Sequence, residues 1–129
     1  MNPKDPGRPV FDASAVLSLL QGETGAEKLR ELQPEAVVNA VNTAEVLAKL
    51  VNRGMPVKEA QAAFDALHLE MTPFEPALAA ISARYVRKGV SLGDRCFLAA
   101  ARVHGLGWTS DHDLAALVGS LGPPLRFFR

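Results

Sequence analysis

Short apolar runs alternate along the chain with longer stretches of helical periodicity. The runs predicted to be strands cover residues 10–11, 36–38, 69–71, 108–109 and 125–128. Between them, apolar residues recur every three or four positions, as on the buried side of an amphipathic helix. Because one or two helices separate consecutive strands, the pattern predicts a three-layer α/β/α domain with a mostly parallel sheet of about five short strands.

The stretch over residues 91–111 has the clearest signals for the start and the end of a helix. Ser91 and Asp94 have the spacing of a capping box, and Gly105 marks the end of the helix. At 3.6 residues per turn, Asp94 lies on the same face as the apolar Phe97. A carboxylate beside an apolar stripe requires a hydrogen-bond donor, a cation or a metal ion. Asp94 is therefore a candidate functional residue.

Three further acids are expected at the same edge of the sheet. Asp12 and Asp111 lie at the exits of predicted strands, and Glu45 lies in the helix after the second strand. The carboxyl ends of parallel strands meet at one edge, where α/β proteins bind their ligands. Clustered carboxylates repel each other near neutral pH, and Mg²⁺ or Mn²⁺ relieves that repulsion. Because such an ion can activate water for attack on a phosphodiester, the pattern indicates a hydrolytic site.

Each of these acids also has a purely structural interpretation. Glu45 could complete a capping box that begins at Asn42, or could pair with Lys49 one turn later. Asp111 or Asp113 could cap the last helix. For Asp12, directly after the first strand, the sequence suggests no structural task. The residues alone leave the structural and the functional interpretations open.

Composition narrows the classes of function. The chain has 14 basic and 14 acidic residues, which argues against a protein that holds nucleic acid through bulk positive charge. Single arginines near the acids, such as Arg95, could still meet phosphates. Cys96 lies among apolar residues and is expected in the core. The histidines lack zinc-site spacing, and no glycine-rich nucleotide loop occurs.

Length and the N-terminal sequence bound the organisation of the chain. With 129 residues, we expect a single domain over residues 10–129. Residues 1–9 are polar and proline-rich, so they are predicted to form a flexible arm and not a signal peptide. No apolar run approaches the roughly 18 residues of a membrane span. The expected location is the cytoplasm.

Four segments of the sequence resemble a known family. They read VFDASAVLSLLQGE from residue 10, VNTAEVLAKL from residue 41, SLGDRCFLAAA from residue 91 and WTSD from residue 108. In this order they resemble the signature segments of PIN-domain ribonucleases, especially the VapC-type toxins of toxin–antitoxin modules. The resemblance runs from about residue 10 to residue 129.

The resemblance implies a role for each of the acids. It makes Asp12, Glu45 and Asp94 the core ligands of Mg²⁺ or Mn²⁺ and Asp111 the fourth acid, with Ser14 and Thr109 in support. It also implies endonucleolytic cleavage of RNA by metal-activated water, a homodimer, and a cognate antitoxin that covers the site. The long N-terminal arm and an additional acid, Asp113, depart from the family pattern.

Other functions remain compatible with the sequence. A housekeeping PIN-domain nuclease and a non-catalytic PIN-like module that binds RNA would carry the same fold. A receiver-like signalling domain fits less well, because such domains have adjacent acids after the first strand and a lysine after the last. Here Ala13 follows Asp12, and the last lysine, Lys88, precedes the fourth predicted strand.

Overall fold

A central parallel sheet organises the computed structural model, which describes residues 7–129. Its strands are β1 (Arg8–Phe11), β2 (Val37–Asn39), β3 (Glu70–Thr72), β4 (Gly105–Thr109) and β5 (Leu125–Phe127). They lie in the order β3-β2-β1-β4-β5, and every neighbouring pair is parallel. The parallel α/β sheet predicted from the sequence is confirmed.

Helices connect all the strands of this sheet. Within the described residues they are α1 (Ala13–Gln21), α2 (Ala26–Leu32), α3 (Ala40–Asn52), α4 (Val57–Asp65), α5 (Pro76–Ser82), α6 (Leu92–His104) and α7 (His112–Val118). None of them is long and apolar enough to cross a membrane. The first three crossovers each contain two helices, and the last contains α7 alone.

The sheet separates two apolar cores. Phe11 and Val38 point to the core formed with α1 to α4, whereas Val10 and Val37 point to the core formed with α5 to α7. Successive side chains on a strand face opposite sides, so each buried strand supplies both cores. Cys96 is buried in α6, as its apolar neighbours predict. The resulting architecture is the expected three-layer α/β/α sandwich.

The first strand begins two residues earlier than the sequence pattern indicates. Arg8 pairs in register with Gly105, and its side chain donates to the carbonyl oxygen of Glu35 at 3.0 Å and to Glu70 at 3.1 Å. These contacts with distant residues extend β1 beyond its apolar core at Val10. Residues 8 and 9 of the expected arm therefore belong to the sheet. Residues 1–6 of that arm lie outside the described part of the chain.

The start of α3 also differs from the prediction. Asn39, the last residue of β2, is the cap, and its side-chain oxygen accepts from the backbone N–H of Asn42 at 3.0 Å. Strand pairing of Asn39 with Thr72 extends β2 and brings the helix start forward. Asn42 was expected to be this cap, which is wrong. Instead it lies buried in the first turn of α3.

Candidate metal centre

A cavity of about 490 Å³ opens at the carboxyl edge of the sheet. The four acids predicted from the sequence contribute to its wall, together with small and polar residues. The lining residues are Asp12, Ala13, Ser14, Asn42, Glu45, Lys49, Ser91, Gly93, Asp94, Ser110 and Asp111. The fold thus brings acids from four separate segments of the chain to one hollow.

Asp12 is the most firmly held of the acids. It caps α1, with Oδ1 accepting from the backbone N–H of Ala15 at 2.9 Å and from the Ser14 hydroxyl at 2.6 Å. Its Oδ2 accepts from the Thr109 hydroxyl at 2.6 Å. The expectation that Asp12 has no structural task is wrong, because an aspartate directly before a helix satisfies an unpaired N–H of the first turn.

Burial disfavours the ionised form of the Asp12 carboxyl group. Loss of solvent around this carboxylate raises its pKa from the usual 3.8, and the nearby Asp94 carboxylate raises it further. The hydrogen bonds from Ser14, Thr109 and Ala15 lower the pKa but do not cancel the effect of burial. A bound cation would favour the ionised form, so the electrostatics of Asp12 suit a metal ligand.

Two further acids also serve as helix-terminal groups. Asp94 and Ser91 form the predicted capping box of α6, with hydrogen bonds of 3.1 and 3.2 Å. Asp111 caps α7, where its Oδ1 accepts from the backbone N–H of Leu114 at 3.0 Å. The other oxygens, Oδ1 of Asp94 and Oδ2 of Asp111, accept no hydrogen bond from the described residues. One carboxylate oxygen of each residue is therefore left for a ligand.

Glu45 reaches the cavity from the second turn of α3. Its Oε1 accepts from the side-chain amide of Asn42 at 2.6 Å. That amide also donates to the carbonyl oxygen of Gly93 at 3.1 Å, which ties α3 to the first turn of α6. The expected capping-box role of Glu45 is wrong because α3 begins at Ala40, so Glu45 lies beyond the first turn.

Among residues 7–129, no basic side chain forms a salt bridge with any of these four acids. In the part of the chain that the structure describes, salt bridges join Arg8 to Glu70, Lys28 to Glu31 and Arg129 to Glu23. The ion pair between Glu45 and Lys49 that the sequence allowed does not form within this range. Lys49 instead lines the cavity as its basic residue.

The chemistry of the donor set fits a hydrated Mg²⁺ or Mn²⁺ ion. Among residues 7–129, no three His, Cys, Asp or Glu side chains approach closely enough to ligate one ion directly. Mg²⁺ typically keeps several waters and takes one or two protein carboxylates, so direct contact with every acid is not required. Carboxylate, carbonyl and water oxygens are its preferred ligands. Asp12, Glu45, Asp94 and Asp111 could hold such an ion, in part through water.

Some candidate residues lie outside the cavity wall. Thr109 is fully buried and reaches the site only through Asp12 and the backbone N–H of Asp111. The guanidinium of Arg95 donates to the carbonyl oxygen of Val90 at 3.2 Å, and Arg95 does not line the cavity. Its role in substrate binding stays a prediction.

Sequence reasoning missed two residues that shape the site. Asn42 was assigned to a cap, although its spacing of three from Glu45 places both side chains on one helical face. Gly93 was treated only as part of a motif, but a Cβ atom at this position would overlap the Glu45 carboxylate. The approach of Glu45 to Gly93 depends on helix packing, so no local signal in the sequence predicts it.

The sequence also matches a family model. A model of the PIN domain matches residues 10–119. The chain belongs to the PIN-domain family. The match contains all four acids that line the cavity, so it covers the whole candidate site of this PIN domain.

Several solved structures with a similar fold come from toxin–antitoxin systems. A toxin–antitoxin complex from Klebsiella pneumoniae has a TM-score of 0.71 and 18% identity, over 94% of this chain and 98% of that chain. VapBC2 from Rickettsia felis, bound to a promoter DNA fragment, has a TM-score of 0.71 and 12% identity, over 92% and 97% of the two chains.

A third structure is that of VapC20 from Mycobacterium tuberculosis, described as a toxin that cleaves the sarcin–ricin loop. Its TM-score is 0.64 and its identity 17%, over 84% of this chain and 93% of that chain. At these identities the likeness shows a common fold. A search of curated proteins found no match to this PIN-domain sequence.

Proposed function

We propose that this PIN-domain protein is a Mg²⁺- or Mn²⁺-dependent endoribonuclease. One observation carries the proposal: Asp12, Glu45, Asp94 and Asp111 come from four segments of the chain and line one cavity. Within the described range, no lysine or arginine forms a salt bridge with any of them. Such an uncompensated acidic hollow is suited to a divalent cation and, through that cation, to a phosphodiester.

The acids and hydroxyls have distinct roles in this proposal. A bound Mg²⁺ or Mn²⁺ supplies an activated water and offsets the negative charge that develops on the phosphate oxygens. The four acids hold the ion, and Ser14 and Thr109 fix the orientation of Asp12 through hydrogen bonds of 2.6 Å. Since Thr109 also accepts from the backbone N–H of Asp111 at 3.0 Å, it links two of the ligands.

Replacing Asp94 by Asn tests the proposed chemistry. Asn keeps an oxygen that can accept from the N–H of Ser91, so the start of α6 is expected to persist while metal-dependent cleavage of RNA is abolished. Cleavage is measured on labelled single-stranded and hairpin RNAs with Mn²⁺, and folding by circular dichroism. Asp113→Asn is the matched control, because Asp113 is an exposed acid outside the cavity wall and this variant should cleave normally.

The result separates an enzyme from a binding module. Wild-type rates in Asp94→Asn would contradict the assignment of the ligand. If the wild-type protein binds the RNAs but cleaves none of them with Mn²⁺ present, the alternative of a non-catalytic RNA-binding module replaces the nuclease proposal.

The biological role in the proposal is that of a toxin held in check by an antitoxin. The four motif segments support this role, as do the toxin–antitoxin systems among the proteins of similar fold. We expect induced expression of the wild-type protein to arrest growth, and Asp94→Asn to permit it. Coexpression of a small protein encoded next to this one should restore growth. Active cleavage without growth arrest would instead indicate a housekeeping nuclease.

The proposal extends to assembly and location. We expect a homodimer whose antitoxin covers the acidic cavity, and we expect both to act in the cytoplasm. Light scattering measures the mass of the purified protein. A monomeric mass across the micromolar range would remove the dimer from the proposal and leave the cleavage assignment unaffected.

A further inference from the structure

Two buried asparagines connect the end of β2 to the acidic cavity. Asn39 and Asn42 expose 0% and 1% of their surface. The side-chain amide of Asn39 donates to Oδ1 of Asn42 at 2.6 Å, while its own Oδ1 accepts from the backbone N–H of Asn42 at 3.0 Å. These two bonds fix which end of the Asn42 side chain faces the cavity.

The Asn42 side chain bridges two elements that are distant in sequence. Its amide nitrogen donates to Oε1 of Glu45 at 2.6 Å and to the carbonyl oxygen of Gly93 at 3.1 Å, across 51 residues. Both amide protons and the amide oxygen are therefore engaged. Because polar groups in a buried network are expensive to leave unpaired, this arrangement has little freedom to change.

Gly93 leaves the space that the Glu45 carboxylate occupies. A Cβ atom added at this glycine would overlap both carboxylate oxygens and the carboxylate carbon of Glu45. Gly93 is also buried in the first turn of α6, next to Asp94. The Glu45 carboxylate thus contacts both a hydrogen-bond donor on its own helix and a glycine without a side chain on the neighbouring helix.

We infer that Asn42 and Gly93 are positioning residues that hold the Glu45 carboxylate in place for a divalent metal ion. The inference rests on the metal site of the proposed function. A glutamate side chain has several rotatable bonds, and ordering them opposes ion binding unless the fold has ordered them beforehand. Hydrogen-bonding partners of metal ligands commonly change metal affinity by about 10- to 100-fold when they are removed.

The test measures binding of Mn²⁺ alone by isothermal titration calorimetry. Asn42→Leu keeps the approximate volume of the side chain but removes the donor to Glu45. We expect Mn²⁺ to bind this variant about 10- to 100-fold more weakly than the wild-type protein. Thr43→Val is the matched control, since it removes a buried hydrogen bond of 3.0 Å to the Asn39 carbonyl oxygen without touching Glu45. Its Mn²⁺ affinity should stay unchanged.

A double-mutant cycle tests whether Asn42 acts through Glu45. Glu45→Gln alone should weaken Mn²⁺ binding, and adding Asn42→Leu to it should have little further effect. If Asn42→Leu lowers the affinity by the same factor in both backgrounds, the positioning role is overturned. Unchanged affinity in the single variant Asn42→Leu would overturn it as well.

Gly93→Ala provides an independent route if Asn42→Leu does not fold. Its added methyl group should displace Glu45 and weaken Mn²⁺ binding, and an affinity equal to that of the wild-type protein would contradict the inference. No RNA enters these titrations. Failure of the wild-type protein to cleave RNA would therefore remove only the proposed function, whereas failure to bind Mn²⁺ would remove the inference.

Discussion

The acidic cavity has two walls that are built differently. The strand-end wall includes Asp12, Ser14, Ser110 and Asp111, and the helix wall includes Asn42, Glu45, Gly93 and Asp94. In the strand-end wall, the acids lie one or two residues beyond the ends of the adjacent parallel strands β1 and β4 and receive hydrogen bonds from backbone N–H groups and hydroxyls. The helix wall depends on the packing of α3 against α6, which places Glu45 beside Gly93.

The difference concerns what each acid does for the fold. Asp12 supports α1 and accepts from a buried hydroxyl, so its chemical role cannot be separated from folding. Glu45 caps no helix, and the donor that holds it, Asn42, keeps another acceptor at Gly93. In the strand-end wall, the proposed metal ligand Asp12 therefore also stabilises the fold, whereas Glu45 has little structural role apart from its proposed one.

The largest expected effect is on the free energy of unfolding. It appears when the Ala variant is compared with the Asn variant at Asp12, and with the Gln variant at Glu45. Asp12→Ala should be less stable than Asp12→Asn by about 1–3 kcal/mol, because the side-chain oxygen of Asn can still cap α1, whereas Ala has no acceptor for the N–H of Ala15. Glu45→Ala and Glu45→Gln should differ by less than about 1 kcal/mol. Urea unfolding in EDTA measures both differences. Equal differences at the two positions would contradict this contrast between the walls.

A second effect concerns the charge of Asp12. Because burial raises its pKa above 3.8, the metal-free folded protein binds this proton more tightly than the unfolded chain does. The ionised carboxylate therefore destabilises the metal-free fold at neutral pH, and this penalty is relieved as the pH falls through the folded pKa. Asp12→Asn should have the higher Tm in EDTA at pH 7, and the difference from the wild-type protein should narrow on acidification.

The control for this pH experiment is the same pair of proteins measured with Mn²⁺ in place of EDTA. Mn²⁺ should raise the Tm of the wild-type protein more than that of Asp12→Asn, because the ion favours the ionised form. A Tm difference in EDTA that stays constant between pH 7 and pH 4 would show that the Asp12 carboxylate is not destabilised by burial.

The smallest expected effect belongs to Lys49, which lines the helix wall without an ion pair in the described range. If it meets a phosphate of the substrate, Lys49→Met should raise KM and leave kcat nearly unchanged. The salt dependence of single-stranded RNA binding should lose about 0.7 from its logarithmic slope. Lys58→Met, on the exposed side of α4, is the matched control and should keep the wild-type slope.

The sequence predicts most of the fold because its strands are short apolar runs separated by helical periodicity. The parallel order follows from the helices between them, and the acids at strand exits follow from the same reasoning. The exact strand ends are less predictable. Arg8 enters β1 through contacts with Glu35 and Glu70, which no local pattern around Arg8 contains.

Some contacts of the candidate site cannot be predicted from local sequence patterns. Asn39 and Asn42 are both good helix caps, and the sequence cannot choose between them because pairing with β3 decides where β2 ends. The capping role of Asp12 was predictable, since an acid directly before a helix is a typical cap. The contact of Asn42 with Gly93 was not, because 51 residues separate the partners.

The overlap of helix caps with candidate ligands also limits how this protein could lose the proposed activity during evolution. Mutations that remove Asp12, Asp94 or Asp111 also disturb the start of a helix. Selection for a folded chain would then retain these aspartates even after catalysis had ceased to matter. An inactive descendant would lose Glu45 first, so an intact set of aspartates in a relative is weak evidence that it still cleaves its substrate.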